Sequence, residues 1–136
     1  MNANEINREI KTHVVNPCND KIRIVVTDKQ GAGGANHRYE VTGFSTETNP
    51  SELKGSYSNG VAILFQNGPI NEHAVNGITQ EVLLAIVQDI LESFQAGPYA
   101  TEENAKALDA VKTAQHWLQF RTLKRMARGV EGTHQK

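Results

Sequence analysis

The chain has 136 residues, 38% of them apolar, which is enough to bury one core and too few for two independent domains of ordinary size. Lysine and arginine number 14 against 15 acidic residues, so net charge gives no attraction toward nucleic acid or a membrane, and an anion site must come from local clustering. The single cysteine, Cys18, excludes an internal disulfide and a cysteine-based zinc centre and fits a reducing compartment. The most apolar run, 82–90, is broken by Gln88 and Asp89, and the first residues are polar rather than leader-like, so a cytoplasmic protein without membrane contact is expected.

Residues 1–20 are polar with scattered apolar positions, and Asn16-Pro17 marks a turn, so this segment is expected to be an arm. From 21 to 27 Ile22, Ile24 and Val26 alternate with Arg23 and Val25, the period of a strand. The glycine-rich run 31–34 ends it as a turn, and a second strand follows over 37–44, where Tyr39 and Val41 alternate with Arg38, Glu40 and Thr42. After a polar, turn-forming stretch over 46–59, the run 61–65 reads as a third strand closed by Gln66-Asn67-Gly68-Pro69. Together these predict a small antiparallel sheet over 21–75.

Beyond Gly77 the apolar period changes from two to about 3.6, with Leu83, Ile86, Val87, Ile90, Leu91 and Phe94 on one broad face. Thr79 is placed to cap this helix and Glu81 to complement its N-terminal dipole. Gly97-Pro98 cannot continue it, and Thr101 followed by Glu102 and Glu103 opens a second helix that runs toward Gly129, with a frayed tail after Gly132. The expectation is therefore one compact α+β domain, its sheet region followed by a long antiparallel helical hairpin over 76–131. The helices should span about 17 and about 28 residues, so the second outruns the first by roughly 15 Å. That excess bears Trp117, Leu118, Phe120, Leu123 and Met126, which need burial from the sheet or from another subunit; a helical homo-oligomer is the simplest outcome.

Arg121 and Arg125 are one helical turn apart and can clamp a phosphate or pyrophosphate with their planar forks. On spacing alone the commoner reading is a solvated helix end whose charge matches the dipole. His116 and Trp117 are candidates to stack on a base, although an aromatic at helical spacing usually belongs to a core. The glycine loop lacks the Gly-Lys-Ser/Thr ending of a P-loop and precedes a strand, so hairpin geometry explains it better than phosphate binding; Asn36 and Arg38 beyond it are secondary anion candidates. The histidines at 13, 37, 73, 116 and 134 show no paired metal spacing, and no serine or cysteine sits in a nucleophile motif. A non-catalytic protein with no metal and no cofactor is expected.

The segments Asn76-Gly77-Ile78-Thr79, Phe94-Gln95-Ala96-Gly97-Pro98, Glu103-Asn104-Ala105-Lys106-Ala107-Leu108 and His116-Trp117-Leu118-Gln119-Phe120-Arg121-Thr122 resemble the helical hairpin of phage anti-CBASS and anti-Thoeris sponge proteins. Gly33-Gly34-Ala35-Asn36-His37-Arg38-Tyr39-Glu40 and Phe65-Gln66-Asn67-Gly68-Pro69 resemble the sheet-bearing anti-Thoeris branch. The resemblance implies a phage anti-defence protein that sequesters a cyclic ADP-ribose isomer made by a defence TIR enzyme, without cleaving it. It implies ring stacking by Phe94, a hydrogen bond from Asn104 and phosphate contacts from Arg121 and Arg125. It also implies a hexamer and a second site for cyclic di- or trinucleotides, for which Asn36 and Arg38 are the candidates. Asn104 and Arg121 are separated by roughly 25 Å of helix, so a small ligand can meet both only if two chains contribute. The competing reading is a nucleic-acid-binding or regulatory phage protein using the basic helix end, which calls for more positive charge than this chain carries.

Overall fold

The structure, a computed structural model, describes residues 6–17, 19–129 and 132–133. Cys18, His134, the first five residues of the expected arm and residues 130, 131, 135 and 136 lie outside the described residues. The architecture is α+β: a four-stranded antiparallel sheet followed by helices, in two compact units divided between Gly68 and Pro69.

In the first unit, strands β1 (Arg8–Ile10), β2 (Arg23–Val26), β3 (Arg38–Thr42) and β4 (Gly60–Leu64) lie side by side in chain order. The register Ile10↔Ile24↔Val41↔Val61 and Arg8↔Val26↔Tyr39↔Ile63 puts most of the large apolar side chains on one face, with Arg8 at its edge, because directly paired residues point the same way. Val26 is fully buried there, and Tyr39 meets the Phe65 ring edge-on at 5.6 Å. The opposite face carries charge: Arg23 reaches Glu9 at 3.3 Å and Arg38 reaches Glu40 at 2.8 Å. The hydrogen bond from Arg23 holds the Glu9 carboxyl below its ordinary range.

β1 arises from the segment expected to be an arm. Its three residues include one strongly apolar side chain, so no alternation announces it; the open edge of β2 supplies the partner, with Asn7 N–H also donating to Val26 O at 2.6 Å. The glycine run forms a 3-10 turn, Ala32–Gly34, in which Gly33 and Gly34 take φ of 70° and 77°.

In the second unit, Pro69 starts the one-turn helix α1 (Ile70–His73), which the sequence pattern did not announce. The two long helices are α2 (Gln80–Gln95) and α3 (Glu102–Ala127). Both caps form as expected: Thr79 Oγ1 accepts from Val82 N–H at 3.4 Å, and Thr101 Oγ1 accepts from Asn104 N–H at 3.0 Å. Each contributes about 1 kcal/mol. Gln95 closes the bend, its Nε2 donating to Thr101 O at 3.1 Å and its Oε1 accepting from Thr101 N–H at 3.0 Å.

Among the described residues no helix is long and apolar enough to cross a membrane.

Candidate functional site

The less exposed positions of α2 include Leu84, Gln88, Leu91 and Gln95, and those of α3 include Asn104, Leu108, Val111, Gln115, Leu118, Thr122 and Arg125. Both sets step alternately by four and three residues, the seam of two helices packed along their length. Gln115 Nε2 donates to Gln88 Oε1 across it, which fixes the antiparallel register. Eight residues of α2, from Gln80 to Val87, precede that contact, whereas twelve of α3, from His116 to Ala127, follow it. The end of α3 therefore runs past the start of α2.

The seam is not the most apolar side of α2. Two of its four positions are glutamines, while Val82, Ile86, Ile90 and Phe94, at four-residue steps on another side, stay exposed. On α3, Trp117 at 61%, Leu123 at 60% and Met126 at 59% exposure, with Phe120 beside them, are likewise uncovered in the single chain. An apolar stripe of this kind needs a partner surface.

Phe94 stands half exposed one turn before the bend, and Asn104 sits half-buried in the first turn of α3, its backbone held by Thr101. The hairpin thus places these two on either side of the same bend. Arg121 and Arg125 lie toward the other end of α3, and one chain does not bring the four together. The two arginines also differ from each other. Arg121 lies off the seam and is exposed, whereas Arg125 continues the seam stripe, is half-buried and donates from Nη2 to Thr133 O at 3.0 Å.

Around Arg121 the helix surface forms an open concavity of about 350 Å³, lined also by Trp117, Phe120, Lys124 and Arg128. Phe120 stands at its centre: Trp117 meets it edge-on at 6.1 Å, His116 lies parallel to it at 6.2 Å, and Lys124 Nζ is 5.6 Å from its ring centroid. Such a surface offers flat rings and two guanidinium groups to an aromatic anion. The sequence reading singled out His116, Trp117 and Arg121 but gave Phe120, Lys124 and Arg128 no binding role; the spacing 117, 120, 121, 124, 128 along one helical side was the signal that joins them.

The secondary candidates in the sheet unit are already engaged. Asn36 is buried, its Oδ1 accepting from Arg8 Nη2 at 2.7 Å and its Nδ2 donating to Asp28 O at 2.9 Å. Arg38 Nη1 donates to Thr27 Oγ1 at 2.7 Å and to Glu40 Oε2 at 2.8 Å. The Asp28 carboxylate accepts from the backbone N–H groups of His37 and Arg38 at 2.9 and 3.1 Å, so this corner is cross-braced by its own polar groups.

Residues 58–122 match the profile of the Acb2/Tad1 hairpin domain. The chain is 46% identical over 72 residues to a protein of Bacillus phage SBSphiJ7 named Thoeris anti-defense 1, an alignment covering 53% of this chain. It spans about half the length of that relative, 51%. The match takes in β4, the bend and most of α3, so the hairpin region of this chain is similar to the Acb2/Tad1 hairpin domain and to that phage relative.

Proposed function

We propose that the chain is a phage anti-defence protein that counters Thoeris immunity by binding a cyclic ADP-ribose isomer in the host cytoplasm and holding it unchanged. The name of the phage relative supports the anti-Thoeris role. The observation that carries the binding mode is the distribution of the four candidates along one hairpin, Phe94 and Asn104 flanking the bend and Arg121 and Arg125 near the far end of α3. The pocket is built where the bend of one subunit meets the arginine end of its neighbour. The exposed stripes on α2 and α3 supply the apolar contact for that association, and a hexamer is the assembly expected of it.

In such a pocket Phe94 stacks on the base and Asn104 hydrogen-bonds the ligand. The arginines neutralise the pyrophosphate with charge-assisted bonds, and Trp117, which lines the concavity with Arg121 and meets the His116 ring, extends the stacking surface together with His116. His116 is the one group in this set able to exchange a proton near neutral pH, without a second group to complete an acid and base pair, and the reading is that the ligand is released as it entered. A second site for cyclic di- or trinucleotides at Asn36 and Arg38 requires the ligand to compete with Arg8, Thr27 and Glu40 for them.

The test is a thermal-shift panel of cyclic ADP-ribose isomers, cyclic dinucleotides, cyclic trinucleotides and duplex DNA, followed by heat denaturation of any complex and analysis of the released ligand. Stabilisation by a cyclic ADP-ribose isomer, recovered chemically intact, is expected. A ligand that returns altered makes the protein an enzyme, and stabilisation by DNA alone that fades steeply with salt makes it a nucleic-acid binder. Phe94→Ala is expected to weaken binding about ten-fold through loss of stacking. The hairpin itself should still fold, because Phe94 is 46% exposed in the single chain, and light scattering checks that the α2 stripe it belongs to still holds the assembly together.

A further inference from the structure

Beyond Asp109, α3 carries no acidic side chain, while Arg121, Lys124 and Arg125, with Arg128 at the cap, crowd its end. Residues three and four apart on a helix are neighbours, so Arg121 repels Lys124 and Arg125, and Arg128 repels both of them as well. Among the described residues no ion pair relieves Arg121, Lys124 or Arg128, the three cations that line the concavity with Trp117 and Phe120. The helix dipole favours positive charge at this end, but it gives no reason for an aromatic floor beneath it. Here Lys124 Nζ stands 5.6 Å from the centroid of the Phe120 ring. Unpaired cations and flat rings sharing one hollow of about 350 Å³ make a seat for an aromatic polyanion.

We propose that Lys124 and Arg128 hold a phosphate additional to the pyrophosphate, and that the preferred ligand is a cyclic ADP-ribose isomer carrying a phosphomonoester on its ribose. The inference rests on the reading of Arg121 and Arg125 as the holders of the pyrophosphate. Each phosphorus of a pyrophosphate diester bears one negative charge, so those two arginines match it fully. Lys124 and Arg128 are then left facing a ligand whose charge is already met. A phosphomonoester, close to dianionic at neutral pH, restores the balance and accepts charge-assisted bonds from both side chains. The spacing agrees. Arg128 lies seven residues beyond Arg121, roughly 10 Å along the axis, a stripe better matched by two phosphate groups set apart on one ligand than by one pyrophosphate. A nucleic-acid strand also presents separated phosphates, but 15 acidic residues against 14 basic ones oppose a polyanion of that length.

Lys124→Gln combined with Arg128→Gln in the full chain tests this seat, because both side chains are exposed and glutamine keeps the helix propensity. Titration calorimetry at physiological salt compares the cyclic ADP-ribose isomer made by a Thoeris TIR enzyme with the same isomer bearing a phosphomonoester on a free ribose hydroxyl. A single-stranded oligonucleotide is the third probe. The parent should bind the phosphorylated compound about ten-fold more tightly than the unphosphorylated one. The double variant should bind the two alike, and its affinity for the unphosphorylated isomer should stay within about three-fold of the parent's, since exposed charges out of contact are largely screened at that salt. Equal or weaker binding of the phosphorylated compound, by a parent that binds the isomer, overturns the added phosphate seat and leaves the proposed capture standing. A preference that survives in the double variant removes Lys124 and Arg128 from the seat. Tighter binding of the oligonucleotide than of either cyclic compound makes the stripe a strand-binding surface and overturns the seat. No binding of either cyclic compound by the parent overturns the reading of Arg121 and Arg125, and the seat with it.

Discussion

Arg121→Ala is expected to weaken capture of the cyclic ADP-ribose isomer by about 100-fold while the helices keep their stability. A bidentate guanidinium–phosphate contact in a partly desolvated pocket contributes on the order of 3 kcal/mol, and its loss leaves a phosphate oxygen without its partner. The folding cost is small because Arg121 is exposed, lies off the α2–α3 seam, and is replaced by the best helix former. Arg121→Lys separates charge from geometry: lysine keeps the positive charge but offers a point donor instead of a planar fork, so a loss of roughly ten-fold is expected. Titration calorimetry beside a circular-dichroism melt checks both. An alanine variant within three-fold of the parent removes Arg121 from the site.

The largest expected effect on folding lies in the sheet. Gly43 ends β3 at φ 90°, and a Cβ there would stand 1.8 Å from Lys21 O and 2.8 Å from Lys21 C, backbone atoms that cannot rotate away. Gly43→Ala is therefore expected to destabilise the sheet unit by about 3 kcal/mol or more, from left-handed strain and displacement of the chain leading into β2. Gly55 is the control: its φ of 84° carries the same conformational preference, but a Cβ there meets nothing within 4 Å. Gly55→Ala should cost only about 1 kcal/mol. Urea denaturation of the two variants against the parent distinguishes steric exclusion from backbone preference, and equal losses would show that the Lys21 contact carries no weight.

Much of the fold could be read from pattern because its elements follow simple periods. The alternations around Ile24 and Val41 and the run at Val61 produced β2, β3 and β4, while Thr79, Gly97-Pro98 and Thr101 fixed the ends of the long helices within a residue or two. β1 was hidden because Arg8, Glu9 and Ile10 take their order from the edge of β2, a non-local cause. α2 illustrates a subtler limit. Its most apolar stripe is legible, but the side that meets α3 is set by the bend, where Gln95 grips Thr101, and by Gln88 opposite Gln115, so the polar seam came from tertiary geometry.

At the candidate site, sequence supplied positions without neighbours. Helical spacing placed Arg121 and Arg125 one turn apart and left them equivalent. The structure separates them through the seam, which draws Arg125 inward beside Thr133 while Arg121 faces the concavity with Phe120 and Lys124. The seat of Gly132 was equally hidden, since its φ of 83° and the bond its carbonyl accepts from Asn71 N–H are tertiary features.

A subunit-mixing experiment addresses the intermolecular pocket most directly. Phe94→Ala and Arg121→Ala chains, each deficient alone, are co-expressed with different tags, isolated as mixed assemblies and titrated with the cyclic ADP-ribose isomer. Where the bend and the arginine end come from different chains, about a quarter of the sites in a random assembly join an intact Phe94 to an intact Arg121, and tight binding returns at that stoichiometry. If mixed assemblies bind no better than either variant alone, or the parent is monomeric when it binds, ligand capture does not occur between subunits.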